Sequence, residues 1–270
     1  MKVRVISGIV LTVIMIAALL LGGWVLFALT LGISLIGMYE IYRVVGQEKS
    51  LPAVFGYMSA IFYYVTIGFG LEQFSVLAIV LGLMSIMAVY VFTFPKYKAT
   101  DMIMLFFGIV YVAMMLSYMY KVRVMEDGIF LVWLIFVSAW VNDTLAYFSG
   151  VLLGKHKMTP KLSPKKTIEG AVGGILGATL VGAVYGYIVG ANMNGHLGNT
   201  IIAFAVASFV GAFLAIVGDL AASAIKRNHD IKDYGNLIPG HGGILDRFDS
   251  VIFTAPAVYW ALMVIGSIMG

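Results

Sequence analysis

Residues 5–39 read VISGIVLTVIMIAALLLGGWVLFALTLGISLIGMY, a run of 35 residues without a single charged side chain. One bilayer crossing needs about 20 apolar residues, and the apolar region of a secretory signal peptide reaches about 15. The run is therefore too long for a signal peptide or for one span. We expect two uncleaved spans with a break near Gly22 and Gly23.

Further apolar stretches of spanning length follow along the chain. They cover residues 51–71, 74–94, 102–120, 128–154, 170–218 and 250–270. The stretch 170–218 is too long for one helix, and a polar cluster near its middle divides it into two. The cluster consists of Asn192, Asn194, Gly195, His196, Gly198 and Asn199. Because lipid offers no hydrogen bonds to the backbone, we expect an all-α integral membrane protein, a polytopic bundle of about nine transmembrane helices.

The composition agrees with a membrane protein. Hydrophobic residues make up 61% of the chain and charged residues only 11%, whereas soluble domains carry about 25% charged residues. Cysteine is absent, which excludes disulfides, cysteine-ligated zinc and a thiol nucleophile. We expect residues 1–125 to form a scaffold of spans and residues 126–270 to form the catalytic region. Glycines recurring through residues 170–190 indicate close helix packing.

Lysine and arginine placement predicts the orientation of the chain. With nine spans and an internal N-terminus, fifteen of the seventeen basic residues fall in cytoplasmic segments and only Lys121 and Arg123 fall outside. Positive residues are enriched in cytoplasmic loops. Segments 155–169 and 226–247 are separated by two spans, so they lie on one side. We expect a multi-pass protein of the cell (inner) membrane whose site faces the cytoplasm.

Two carboxylates interrupt otherwise apolar spans, Asp143 and Asp219. Each would cost about 2.5–3.5 kcal/mol at a helix centre, so neither is expected to face lipid. Asp143 follows Asn142, and a cap or an interfacial pair would also explain it. From Asp219 the chain reads DLAASAIKRNHDIKD. A helix continuing to Asp230 would align four polar residues at about 100° per residue. They are Asp219, Ser223, Lys226 and Asp230, with Arg227 beside them.

Two polar segments precede predicted spans. Residues 238–249 read IPGHGGILDRFD, a glycine-rich turn that leads into a helix start. Helix starts attract phosphates through free N–H groups and the helix dipole, although capping alone would explain one acidic residue. Residues 155–169 carry Lys165 and Lys166 directly before a helix, with Glu169 in its first turn. Paired lysines suit an anionic headgroup or a nucleotide phosphate.

The stretch 223–249 resembles the signature of the phosphatidate cytidylyltransferase family, also called CDP-diglyceride synthases. The matching positions are Ser223, Lys226, Arg227, Lys232, Asp233, His241, Gly242, Gly243, Asp246, Arg247 and Asp249. Residues 142–169 are also similar to the family, so the resemblance covers roughly residues 140–250. It implies a membrane enzyme that joins CTP to phosphatidate, giving CDP-diacylglycerol and pyrophosphate with a divalent metal.

The resemblance and the residue chemistry together suggest roles. Asp219 and Asp246 would bind Mg²⁺, as one ion or two, with Asp249 as a further ligand, since carboxylates are its preferred protein ligands. The CTP phosphates would be bound by Lys226, Arg227, Arg247 and the loop Gly240, His241, Gly242 and Gly243. Ser223 and His241 would position ligands. Lys165 and Lys166 would receive the lipid phosphate or the leaving pyrophosphate, and Asp143 and Glu169 are further candidates.

Two alternatives remain open from the residues. A CTP-dependent polyprenol or phytol kinase would use similar groups to transfer the γ-phosphoryl group. An ion-coupled transporter would also place carboxylates within spans, although it has no evident use for the glycine-rich loop. No nucleic-acid partner is expected, and a homo-oligomer remains open.

Overall fold

The computed structural model describes residues 2–194 and 197–269. These residues form nine long helices, two short 3₁₀ helices (Glu72–Phe74 and Gly190–Asn192) and one β-hairpin. The helices are α1 (Lys2–Leu21), α2 (Gly23–Val44), α3 (Leu51–Gly68), α4 (Ser75–Phe92), α5 (Ala99–Val124), α6 (Gly128–Leu153), α7 (Ile168–Val189), α8 (Thr200–Asn228) and α9 (Leu245–Met269). The strands are β1 (Lys157–Thr159) and β2 (Ser163–Thr167), which pair antiparallel. Helices α5 and α6 each contain a π-helical turn, at Ile109–Met114 and Val137–Val141.

Eight of the described helices are long and apolar enough to cross a membrane, and Ile6–Leu21 forms a shorter apolar helix. The prediction of an all-α polytopic bundle of about nine helices is confirmed. The predicted break near Gly22 is also confirmed, because α1 ends at Leu21 and α2 begins at Gly23. Gly22 has a φ of 62°, a conformation that glycine adopts without steric cost.

The polar segment between α7 and α8 separates the two helices as predicted. Of the residues predicted to divide them, Gly195 and His196 lie outside the described residues, as does Gly270 at the predicted end of the last span.

One helix boundary differs from the sequence-based expectation and one agrees with it. Helix α9 begins at Leu245, ahead of the apolar stretch 250–270, so the predicted helix start at Asp246 is confirmed. Its first turn contains Asp246, whose negative charge complements the positive end of the helix dipole. Helix α8 ends at Asn228, so Asp230 lies beyond it, with a φ of 54°. Asp230 is therefore not part of the aligned helix face that includes Asp219.

The described chain divides into two compact units. The first contains residues 2–120 and 233–247, and the second contains residues 121–232 and 248–269. The boundary predicted at residue 125 concerned function, and it stays a prediction.

Two pairs of polar groups buried inside the first unit are hydrogen-bonded. The buried Tyr42 hydroxyl donates to the Leu105 carbonyl at 2.8 Å, and the hydroxyls of Ser34 and Tyr64 are 2.7 Å apart. These bonds satisfy side chains that would otherwise destabilise an apolar interior.

The second unit is built on close helix contacts at glycines of α7. A Cβ at Gly174 would lie 2.7 Å from the Asn142 carbonyl of α6, and one at Gly186 would lie 2.8 Å from the Thr200 carbonyl of α8. Small residues permit this approach. The interpretation of these glycines as packing residues is confirmed.

The order of the helices allows a topology test. Helices α7 and α8 separate Lys161 from Lys232, and both residues are exposed. The chain has no native cysteine, so single cysteines at these positions can be labelled cleanly. We expect both to react with an impermeant maleimide only after the cytoplasmic side is opened, because basic segments stay inside. Labelling from opposite sides would contradict the predicted topology.

Candidate functional site

The second unit contains a cavity of about 630 Å³. It is lined by residues of α6, the hairpin, α7 and α8. Its polar lining includes Asn142, Asp143, Lys165, Lys166 and Asp219. Its apolar lining includes Tyr147, Val151 and Ile216. The cavity therefore combines an ionic part with walls that suit hydrocarbon.

Three carboxylates form an acidic cluster, defined as Asp143 of α6, Asp219 of α8 and Asp249 of α9. Asp143 and Asp219 both line the cavity, and the backbone of α9 at Asp249 packs against Gly218, the neighbour of Asp219. Gly218 permits this approach, since a Cβ there would lie 2.8 Å from the Asp249 carbonyl oxygen. Lys166 forms an ion pair with Asp219.

Two hydroxyl groups complete the cluster. Ser223, one turn after Asp219 on α8, donates to Asp219 Oδ1 at 3.4 Å. Ser250 of α9 donates to Asp143 Oδ2 at 3.4 Å. The structure thus joins Asp143, Asp219, Asp249 and Ser223, four of the predicted site residues, within one unit.

Asn142 contributes an unusual buried amide to the cavity wall. Its side chain is fully buried, and neither its oxygen nor its nitrogen has a hydrogen bond of normal geometry among the described residues. Buried polar atoms in native proteins usually have partners. Asn142 therefore adds a buried polar group next to Asp143 in this part of α6.

The hairpin brings the lysines to the cavity. Strand β2 runs directly into α7, where the Thr167 hydroxyl caps the helix by accepting from the Gly170 amide at 3.1 Å. The fixed helix start orients the preceding Lys165 and Lys166, and both line the cavity. Of the two, Lys166 forms the ion pair with Asp219.

Glu169 anchors the chain before the hairpin. Its carboxylate accepts from the backbone amides of Lys155 at 3.1 Å and His156 at 3.2 Å, and it contacts the His156 ring nitrogen Nδ1 at 2.5 Å. These contacts give Glu169 a positioning role within the protein. Its predicted contact with substrate stays a prediction.

Two carboxylates of the first unit occupy the amides at the start of α9. Asp246 Oδ2 accepts from the Gly243 amide at 2.9 Å and the Tyr234 amide at 2.8 Å. Glu40 accepts from the Ile244 amide at 2.9 Å and the Leu245 amide at 2.8 Å. The expectation that this helix start offers free N–H groups to phosphate is therefore wrong, because internal carboxylates already satisfy them.

The rest of the glycine-rich loop is shaped by its glycines and by α1. Gly240 and Gly242 have φ values of 78° and 85°, which favour glycine. The Nδ1 atom of His241 is 2.9 Å from the Ser7 hydroxyl, which donates to the Pro239 carbonyl at 3.1 Å. His241 is therefore held from the N-terminal helix.

The remaining predicted cations lie at the ends of helices. Arg227 donates to the Ile231 carbonyl at 3.3 Å beyond the end of α8, and Arg247 is exposed in the first turn of α9. Their roles toward CTP stay predictions.

Sequence reasoning missed Glu40 and Ser250. Glu40 carried a signal, since it is a lone carboxylate at the end of an apolar span, and such residues seldom lack a role. Ser250 carried none, because serine is common in membrane helices.

The predicted metal ligands divide between the two units. Asp219 and Asp249 belong to the acidic cluster, whereas Asp246 lies in the first unit and contacts loop amides. Carboxylate oxygens are preferred ligands of Mg²⁺, so the acidic cluster offers oxygen donors of the right chemical type for this ion. Within the described residues, however, no three His, Asp or Glu side chains are arranged to hold a metal. The carboxylate of Asp219 is instead paired with the side chain of Lys166.

The apolar helices and the cavity of lysines, carboxylates and apolar walls define an integral membrane protein with an ionic site between its helices and its hairpin. The chain belongs to the cytidylyltransferase family, whose model matches residues 2–265. The match includes the N-terminal half, which the sequence motifs did not cover.

Relatives from three bacteria match over almost their whole length. The protein from Staphylococcus haemolyticus is 30% identical, with 95% of this chain and 96% of the relative covered. The protein from Staphylococcus epidermidis is 31% identical with the same coverage. The protein from Bacillus subtilis is 28% identical, with 97% of each chain covered. Each is named phosphatidate cytidylyltransferase, and the suspected family is confirmed.

The unequal environments of the two hairpin lysines give a stability prediction. Lys166→Gln should lower the free energy of unfolding by about 1–3 kcal/mol, because it leaves the partly buried Asp219 without its cation. Lys165→Gln is the matched control, since Lys165 is exposed, and it should have little effect. Thermal unfolding of both variants in one detergent would measure the difference. Equal unfolding temperatures would show that the ion pair does not stabilise the fold.

Proposed function

We propose that this chain transfers the cytidylyl group of CTP to phosphatidate, giving CDP-diacylglycerol and pyrophosphate. Family membership and the names of the relatives support this reaction. The structural observation that carries it is the ionic cluster beside a cavity with apolar walls. Such a cavity suits a ligand with a phosphate at one end and hydrocarbon at the other.

The reaction makes one phosphorus–oxygen bond and breaks another. An oxygen of the phosphatidate phosphate attacks the α-phosphorus of CTP, and the bond from that phosphorus to the bridging oxygen breaks. Pyrophosphate leaves with the electron pair. A phosphomonoester carries about −1.5 to −2 charge at pH 7, so the nucleophile needs no general base. The barrier is repulsion between anions, which cations and positioning lower.

Lysines of the second unit would neutralise this charge. Lys165 and Lys166 would bind the lipid phosphate, with Lys166 exchanging its contact with Asp219 for the phosphate. The lining residues Tyr147 and Val151 would contact the acyl chains. Lys226 and Arg227 remain our candidates for the CTP phosphates, together with Arg247, Gly240, His241, Gly242 and Gly243 of the first unit.

Magnesium would be held by Asp219 and Asp249, with Asp143 beside them, once Lys166 has moved from Asp219. When bound, it would neutralise phosphate charge and order the oxygens around the α-phosphorus. Ser223 would orient Asp219 through its hydrogen bond. Asp246 stays a candidate ligand, although one of its oxygens accepts from two loop amides.

The proposal also states which side of the membrane the site faces. The fifteen-to-two distribution of basic residues supports a site that faces the cytoplasm from the cell membrane. CTP is a soluble anion and phosphatidate a membrane lipid, so a site at this interface would be reached by both.

The acidic cluster yields a prediction for activity. Asp219→Asn should reduce turnover to less than about a tenth of wild type at saturating Mg²⁺, a loss of at least about 1.4 kcal/mol in transition-state stabilisation. The loss follows from removing a charge that would hold the metal and orient Lys166. Initial rates of CDP-diacylglycerol formation in detergent would measure it, and removing divalent ions with a chelator should abolish wild-type activity reversibly.

Asp230→Asn is the matched control for this experiment. Asp230 is exposed beyond the end of α8 and has a positive φ, which asparagine tolerates. It should keep near wild-type activity. An Asp219→Asn protein with more than a tenth of wild-type turnover would remove Asp219 from the proposed metal ligands.

A labelling experiment distinguishes cytidylyl transfer from a kinase reaction. Purified protein with phosphatidate and Mg²⁺ is given CTP labelled at either the α- or the γ-phosphate. We expect α-label in the lipid and γ-label in pyrophosphate, because the lipid phosphate attacks the α-phosphorus. A kinase would place γ-label in the lipid. That result, or use of a polyprenol while phosphatidate is refused, would overturn the proposed function.

A further inference from the structure

Glu40 is a buried carboxylate that the proposed chemistry does not use. It lies near the end of α2 with only 3% of its surface exposed. Its two oxygens accept from two consecutive amides, Ile244 and Leu245, about 200 residues further along the chain. Burying a charge is costly unless hydrogen bonds compensate it, and these two amides supply such bonds.

Glu40 and Asp246 divide the start of α9 between them. Asp246 accepts from the Gly243 amide, and Glu40 accepts from the next two, Ile244 and Leu245. Three consecutive N–H groups, which a helix start leaves without intrahelical partners, are thus satisfied by two carboxylates. The positive end of the helix dipole favours both charges.

The loop also packs directly against the Glu40 carboxylate. A Cβ at Gly235 would lie 2.7 Å from Glu40 Oε1, and one at Gly243 would overlap the same carboxylate. No side chain can be added at either position without displacing Glu40. Gly235 and Gly243, the two ends of the segment 235–243, therefore both pack against the side chain of Glu40.

We propose that Glu40 is a positioning residue that fixes the segment 233–247, and with it His241 and Asp246, for use in the reaction. Glu40 acts through the loop and does not contact substrate. The consequence for CTP rests on the proposed function, in which this loop binds the nucleotide. The effect on the loop itself does not depend on that function.

The geometry explains why a carboxylate is required. Two amides point at two oxygens, and each bond is strengthened by the negative charge. Glutamine would present one acceptor and one NH₂ group, which would face an N–H donor. Aspartate would keep both acceptors but withdraw them by one methylene. We therefore expect loop order to fall from wild type to Glu40→Asp to Glu40→Gln.

Loop order can be measured without activity. The chain has no native cysteine, and Leu237 is 57% exposed within the loop. A nitroxide spin label on Leu237→Cys should become more mobile in Glu40→Asp and most mobile in Glu40→Gln. A label on Lys157→Cys, in the hairpin, should not change. The matched control Glu72→Gln alters an exposed glutamate of the first unit and should leave both spectra unchanged.

Kinetics provide the second measurement. Glu40→Gln should raise the KM for CTP about tenfold, which is about 1.4 kcal/mol, and leave the KM for phosphatidate within about twofold. A general loss of stability would instead mobilise both labels and alter both KM values. That result, or an immobile Leu237 label in Glu40→Gln, would overturn the proposal.

The two proposals fail in different ways. If wild-type protein makes no CDP-diacylglycerol, the proposed function is wrong, and the label at Leu237 still decides whether Glu40 orders the loop. If Glu40→Gln does not fold, Glu40→Asp takes its place. An Asp variant whose Leu237 label and KM for CTP both match wild type would then exclude the positioning role.

Discussion

A charge within a membrane span must find its partner inside the protein, because lipid offers neither water nor counter-ions. The polar architecture of this protein follows from that constraint. Asp219 pairs with Lys166, Asp143 accepts from Ser250, and Glu40 accepts from two backbone amides. Each pairing joins segments distant in sequence, so the charged groups that could support chemistry also tie the chain together.

Carboxylates also bind backbone amides in two polar segments outside the regular helices. The loop 233–247 is fixed by Glu40 and Asp246, and the turn before the hairpin is fixed by Glu169. In each case a carboxylate accepts from backbone amides at a place where the regular structure supplies no partner. The loop amides are buried, where an unsatisfied N–H group would be costly, whereas the amides of Lys155 and His156 that Glu169 binds are exposed.

Much of this organisation could be predicted from sequence, because it depends on local properties. Apolar runs gave the spans and Gly22 gave the first break, since both effects act over a few residues. The partners of the charges could not be predicted. Asp246 and Asp219 looked like equivalent ligands, yet Asp246 contacts loop amides and Asp219 contacts Lys166. That difference is decided by tertiary contacts such as the approach at Gly218, which no spacing rule contains.

At the start of α9, the anion site expected from the local sequence is already filled by carboxylates of the protein. A glycine-rich loop before a helix suggests an anion site, because free amides and the dipole attract phosphate. Glu40 and Asp246 supply the anion from within the protein, so those amides have no capacity left for a nucleotide. In the proposed function, phosphate recognition would then depend on cationic side chains and on the part of the loop whose amides these carboxylates do not contact. A lysine can exchange one oxygen partner for another, so Lys166, which pairs with Asp219 in this structure, would under the proposed function leave Asp219 to neutralise a substrate phosphate.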